Sequence, residues 1–224
     1  MSMVKAKAAA GGSVAAEQVP EPPPRERILA AARELFYRHG IHAVGVDAIA
    51  EAAGTNKMTL YRHFDSKDAL VVECLRHLTA EFDVSWDAIA ASHVGDARGQ
   101  LLAWLRHVGE WKLSAADRGC ALANTAVEIS DPNHPARRYI DQQKRRHREK
   151  LVGLCREAGL REPELVADKV FLLCEGARVS LQSVGANGPA CRLVEMLQSL
   201  VAEHARPAEP CIPSPRAGEG GTRP

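Results

Sequence analysis

The 224-residue chain reads as an all-α protein, a three-helix head followed by a larger helical body. Three observations predict this. Apolar residues recur at i, i+3, i+4 and i+7 along most of the chain. No run alternates with a period of two between hairpin dipeptides. The interruptions fall at glycine and proline, the residues that end helices.

Residues 1–24 are rich in Ala and Gly and end in Pro20-Glu21-Pro22-Pro23-Pro24, the composition of a disordered tail. The first helix is predicted from Arg25 to His39, with Ile28, Leu29, Ala32, Leu35 and Phe36 as its apolar stripe and Gly40 as its stop. Val46, Ile49, Ala50 and Ala53 mark a second helix, broken by Gly54. A third runs from about Asn56 to His63, held inward by Leu60 and Phe64. Ser66 caps a fourth, expected over Lys67 to Trp86 with Leu70, Leu75 and Leu78 apolar. Beyond the loop at Gly95, helices are expected at about 97–112, 119–129, 135–158, 163–184 and 189–205. Their breaks are Gly119, Asp131-Pro132, Gly159, Glu162-Pro163 and Gly185 to Pro189. Residues 207–224, with five prolines, read as a second disordered tail. The implied division is a head over 25–68 and a body over 69–206.

Hydrophobic residues make up 46% of the chain but aromatics only 4%, so the core must be aliphatic. A net charge of +1 gives no general affinity for nucleic acid, and only local clustering can. The six cysteines (74, 120, 155, 174, 191 and 211) show no C-x-x-C pair, which argues for reduced thiols rather than a disulfide frame or zinc site. No metal or cofactor is expected. No stretch approaches the roughly 18 apolar residues of a membrane span, and the N-terminus lacks a signal h-region. The expected location is the cytoplasm, with no membrane partner.

Residues 46–67 read as two short helices around a glycine turn, the second carrying polar, aromatic and basic groups. That is how a compact protein offers a rod of side chains to the DNA major groove. Between 55 and 67, three cations (Lys57, Arg62, Lys67) oppose one acid (Asp65), a local charge of +2. Cations near phosphates release counterions and supply sequence-independent affinity. Thr59 offers a hydroxyl and a methyl, and Arg62 and His63 can reach base edges. Tyr61 can pack on sugar and bond a phosphate oxygen. Lys67, in the first turn of a helix, opposes the dipole at about 0.3–1 kcal/mol unless an anion such as phosphate compensates.

Residues 26–75 resemble the DNA-binding domain of the TetR/AcrR family of bacterial transcriptional regulators. The phrases that carry the resemblance are Ile28 to Phe36, Gly40-Ile41, Val46 to Gly54 and Lys57 to Lys67. The resemblance implies DNA contacts at Thr55, Lys57, Thr59, Tyr61, His63 and Lys67. Gly45 departs from the family's Ser or Thr, and leaves only a backbone N–H for phosphate. It further implies a homodimer on a near-palindromic double-stranded operator, a body that dimerises and binds a small-molecule effector, and a repressor released by that effector. The last two helices would supply the dimer face, through Val166, Val170, Leu173, Val194, Leu197 and Val201, or these would fill the protomer core.

Effector candidates are the polar and aromatic residues on apolar helices. Trp104, His107 and Trp111 share a face that is either a cavity wall or core. Cys120, Asn124 and Glu128 form a polar stripe, to bond an effector or to tie down the 131–135 turn. Phe171, Cys174, Glu175 and Arg178 share another face, where Glu175 and Arg178 are a salt pair or a mark of the ligand's charge. The basic run from Lys144 to Lys150 reads as a solvated face. Oxidation of Cys120 or Cys174 on the same DNA-binding frame is the alternative to ligand sensing. An enzyme is not expected, for no nucleophile–base pair or phosphate loop is present.

Overall fold

The computed structural model describes residues 21–114, 119–185 and 187–205, with the backbone alone at 111–114. The first tail (up to residue 20) and the second (207–224) lie outside the described residues. Nine α-helices and one short 3-10 turn make up the described residues: α1 (Pro24–His39), α2 (Val46–Ala52), α3 (Lys57–His63), α4 (Lys67–Ala91), α5 (Ala97–Ser114), α6 (Ala121–Glu128), α7 (Pro135–Glu157), α8 (Pro163–Val184), a turn at Pro189–Arg192, and α9 (Leu193–Glu203).

The head assembles from local rules. Pro24 starts α1, where its missing N–H costs nothing, so the first helix begins one residue before the expected Arg25. Asn56 caps α3 by accepting the Thr59 N–H at 2.9 Å, and Ser66 caps α4 through the Ala69 N–H at 3.0 Å. Seven residues cannot hold a helix alone. Instead α3 is pinned by Leu60, wholly buried with Ile28, Leu29, Ala32, Ile49 and Phe64. Truncating such an anchor to Ala costs about 2–5 kcal/mol.

One turn of α4 serves two cores. Leu70 and Cys74 complete the head's cluster. Val71, Val72 and Leu75, rotated to another side, pack with Ile41, Leu122, Ile129 and Ile140 in a cluster joining head to body. A third cluster fills the body, built on Leu101, Trp104, Leu105, Leu151, Val166, Val170 and Leu197.

Three expectations are corrected here. α4 continues five residues beyond Trp86, to Ala91. The last helix is split, a 3-10 turn preceding α9. Of the stripes considered for a dimer face, Val166, Val170, Leu197 and Val201 are buried within the protomer. Leu173 packs against the same body cluster, and Val194 lies against Gly109 of α5. Among the apolar residues α8 leaves exposed, Leu165, Leu172 and Val179 are spaced by seven, with Val184 at the helix end. Beside them, Gly176, Ala177, Ser180 and Met196 line a shallow groove of about 520 Å³ between α8 and α9.

The basic run on α7 is solvated only in part: Arg145 is 73% exposed and pairs with Asp141 of its own helix, while the other cations reach neighbouring helices. Lys150 and Arg146 both bind Asp83 of α4, at 2.7 and 2.8 Å. Arg148 forms a two-pronged pair with Asp168 of α8, and Lys144 reaches Glu175 of α8 at 2.7 Å. Burial works against the Asp83 carboxylate, but its two cations outweigh it and hold its pKa below the usual range.

Candidate DNA interface and effector cavity

Gly45 caps α2 in an extended conformation (φ −84°, ψ 156°), without a side-chain cap and with nothing within 4 Å of where a Cβ would stand. Gly54, at φ +60°, makes the turn into α3, and the Thr55 N–H donates to the Ala50 carbonyl at 2.9 Å. On α3, Lys57 Nζ lies 3.1 Å from Asp47 of α2, which draws it across the turn. Thr59 is half-buried, Arg62 exposed and Tyr61 44% exposed. His63 is half-buried, its Nε2 enclosed without a hydrogen-bond partner. Lys67 stands in the first turn of α4. The outer surface of α3 also carries Met58, 84% exposed, which sequence reasoning passed over. Its signal was an apolar residue placed opposite the buried Leu60.

Behind the head lies a cavity of about 710 Å³, walled by α1, α4, α5, α6, α7 and α8. That is within the size range of small-molecule sites. Trp104, Cys120, Asn124, Glu128, Phe171, Glu175 and Arg178 all line it. Trp104 is joined in the wall by Phe82 and Trp86, each with its ring centroid 4.7 Å away and edge-on, and not by His107, which lies beside Trp104 at 5.6 Å. The Trp111 side chain is outside the described residues. Phe82 and Trp86 sit on the stretch of α4 where the helix was expected to end.

His147 also lines the cavity, stacked on Phe82 at 4.0 Å, and burial pushes its pKa down to about 4. It is neutral at physiological pH. At one end, Glu175 Oε1 receives Lys144 at 2.7 Å and faces Arg178 at 3.5 Å, while Lys144 lies 5.0 Å over the Phe171 ring.

Glu128 does not hold the 131–135 turn. Its carboxylate accepts the Ile41 N–H at 2.6 Å, with the His42 N–H at 3.4 Å, and the His42 ring bonds the Glu128 carbonyl at 2.9 Å. A Cβ at Gly40 would meet that carboxylate at 2.8 Å, and Gly40 has φ +83°, so position 40 suits only glycine. The 131–135 turn is tied down otherwise. His134 accepts the Ala136 N–H through Nδ1, leaving its Nε2–H to donate to Asp68 of α4 at 3.2 Å.

Cys120 caps α6, its Sγ accepting the Ala123 N–H at 3.4 Å, and Cys174 is buried. Burial pushes the thiols of Cys74 and Cys155 up to about 12, so both stay protonated. Among the described residues no group of three His, Cys, Asp or Glu could hold a metal, and no helix is long and apolar enough to cross a membrane.

Residues 28–74 match the model of the bacterial regulatory proteins, tetR family. The HTH-type transcriptional repressor KstR2 of Rhodococcus jostii is 31% identical over 144 residues, which cover 64% of this chain and 69% of that protein. The chain belongs to the TetR family. It is a DNA-binding transcriptional regulator. Another TetR-family regulator, from Streptomyces coelicolor, has a solved structure that superposes with a TM-score of 0.73 at 27% identity, covering 82% of this chain and 96% of that one. The HTH-type transcriptional regulator YjdC of Escherichia coli is 26% identical over 152 residues, covering 68% of this chain and 80% of its own length. The family match therefore runs from α1 into the start of α4, and the structural likeness to the Streptomyces coelicolor regulator extends over most of the body as well.

Proposed function

We propose that this TetR-family regulator is a cytoplasmic homodimeric repressor that leaves its operator when a small molecule fills the cavity. The head, over 25–68, would read a near-palindromic double-stranded site through Gly45, Thr55, Lys57, Thr59, Tyr61, Arg62, His63 and Lys67. The body, over 69–206, would carry the effector and the dimer contact. The name of the KstR2 relative, a repressor, supports the sign of regulation. The heptad-spaced Leu165, Leu172 and Val179, with the small residues beside them, support α8 and α9 as the dimer face.

The observation that carries the reading is Glu128. It lines the cavity and at the same time holds the turn that follows α1. A ligand that moves Glu128 would loosen the head's attachment, and one that spreads α4 would change the separation of the two α3 helices. A hundredfold loss of operator affinity requires about 2.7 kcal/mol of coupling, and the operator must weaken effector binding equally.

The test is protection of the DNA upstream of the gene. Ligand-free protein should cover an inverted repeat with half-sites about 34–36 Å apart, one helical turn. A strictly monomeric protein, or no binding at low ionic strength, would overturn the proposal. Thiol sensing has less support, because Cys120 is engaged as a cap and Cys174 is buried. Operator release by peroxide that survives Cys120→Ser and Cys174→Ser would exclude it.

A further inference from the structure

We propose that the effector is an amphiphile with a single anionic group, such as a carboxylate, on an apolar body, its charge seated against Lys144 and Arg178. The proposal rests on the reading of the cavity as the effector site.

The wall is mainly apolar and includes the rings of Phe82, Trp86 and Trp104, so the body of the ligand must be apolar too. The charges in the wall then decide the rest. Arg33 is matched by Glu81 at 2.6 Å, across α1 and α4, and Glu34 by Arg38 at 2.5 Å along α1. Glu128 is occupied by backbone N–H groups. Lys144 and Arg178 are different: among the described residues of the wall, two cations meet one carboxylate, and both approach the same oxygen of Glu175. The Arg178 side chain is only 13% exposed.

A guanidinium has five N–H donors, and a carboxylate can take two of them in parallel. Without a ligand, water can serve the remaining donors. An apolar ligand that expels this water would leave a net positive charge unsolvated, which is costly. A ligand carboxylate at the same end restores neutrality, while an ammonium would add to the excess. The geometry therefore selects the sign of the ligand's charge and the end of the cavity it occupies.

Dodecanoate, dodecan-1-ol and dodecylammonium share one chain and differ in charge, and serve as probes below their micelle concentrations. Tryptophan fluorescence of the full-length protein, two of whose three tryptophans (Trp86 and Trp104) line the cavity, reads their binding. Dodecanoate should bind at least about tenfold more tightly than the alcohol, and the ammonium most weakly. Arg178→Gln and Lys144→Gln should each remove most of the advantage of dodecanoate, with dodecan-1-ol bound as tightly as before or more tightly because the excess charge is gone, and operator binding on the same preparation reports that the variants are folded. Equal binding of acid and alcohol, preference for the ammonium, no binding of dodecanoate, or equal losses for acid and alcohol in both variants would overturn the assignment. Operator binding is followed on the same preparation. If ligand-free protein fails to bind operator, the regulatory reading falls. If operator is bound and dodecan-1-ol releases it as well as dodecanoate does, ligand response stands and only the anionic class is lost.

Discussion

The Glu128 carboxylate accepts the Ile41 N–H at 2.6 Å, joining the last residue of α6 to the turn between α1 and α2 across 87 residues of sequence. Hydrogen bonds to ionised groups contribute about 1.5–3 kcal/mol. Glu128→Ala should therefore lower the unfolding free energy by about that amount in a denaturant titration. Glu128→Gln keeps an oxygen acceptor and should lose less than half as much. Equal losses would mean that side-chain packing, not the hydrogen bond, is what matters.

Gly45 has room for a side chain and an extended backbone that any residue adopts. Gly45→Ser should add a cap to α2, stabilising the head by a few tenths of a kcal/mol, and should provide a hydroxyl towards phosphate. Tighter operator binding in a gel-shift titration, with a slightly raised Tm, is the expected pair of results. Weaker binding would mean that the backbone at residue 45 already sits as close to the DNA as it can.

In this reading Tyr61, on the groove-facing helix, and Lys67, in the first turn of α4, are phosphate ligands. Lys67→Ala should weaken all DNA sequences alike and reduce the slope of log affinity against log salt by about one. Tyr61→Phe should weaken binding without changing the slope. Base preference measured by site selection should shift for Thr59→Ala and stay fixed for Lys67→Ala.

Leu172 is 69% exposed at the centre of the α8 stripe. Leu172→Glu would place a charge in a twofold contact, where it meets its own copy. Sedimentation should show monomer, with helix content retained and operator affinity reduced by more than a hundredfold, about 2.7 kcal/mol. A dimer that persists would move the interface elsewhere.

Neutral His147 makes stability depend on acid pH. Its folded pKa, about 4, lies below the ordinary 6.5, so the unfolded chain binds the proton more readily. Its contribution is steady above pH 6.5 and stability falls as pH drops towards 4, by as much as about 3 kcal/mol. Asp83, whose pKa is held below 3.8, acts only at lower pH. His147→Leu should flatten the loss between pH 6.5 and 4 in unfolding curves.

What the sequence disclosed follows the range over which each interaction acts. Asn56, Ser66 and the glycine turn lie within a few residues of the groups they cap, so α3 was legible to within one residue. The end of α4 was not, because nothing between Trp86 and Gly95 breaks a helix. Periodicity in α8 and α9 showed that Val166, Val170 and Leu197 face something apolar, yet a period cannot name the partner, and it was the protomer's own core. The α7 run showed its charge, while its counter-ions, Asp141 of the same helix apart, stand 20 to 67 residues away. The cavity was half-visible for the same reason. Its polar residues stood out on apolar helices, but Phe82 and Trp86 look like ordinary core until α4 is placed against α5 and α7.

The tight fit of Gly40 against Glu128 limits how such proteins can be recombined. A biosensor made by transplanting this body beneath a foreign reading head would fail at that seam if the donor carried any larger residue at position 40. A graft that brings residues 40–42 along with α6 keeps the matched pair together, and moves the functional junction to a place that domain boundaries drawn from helix ends would never suggest.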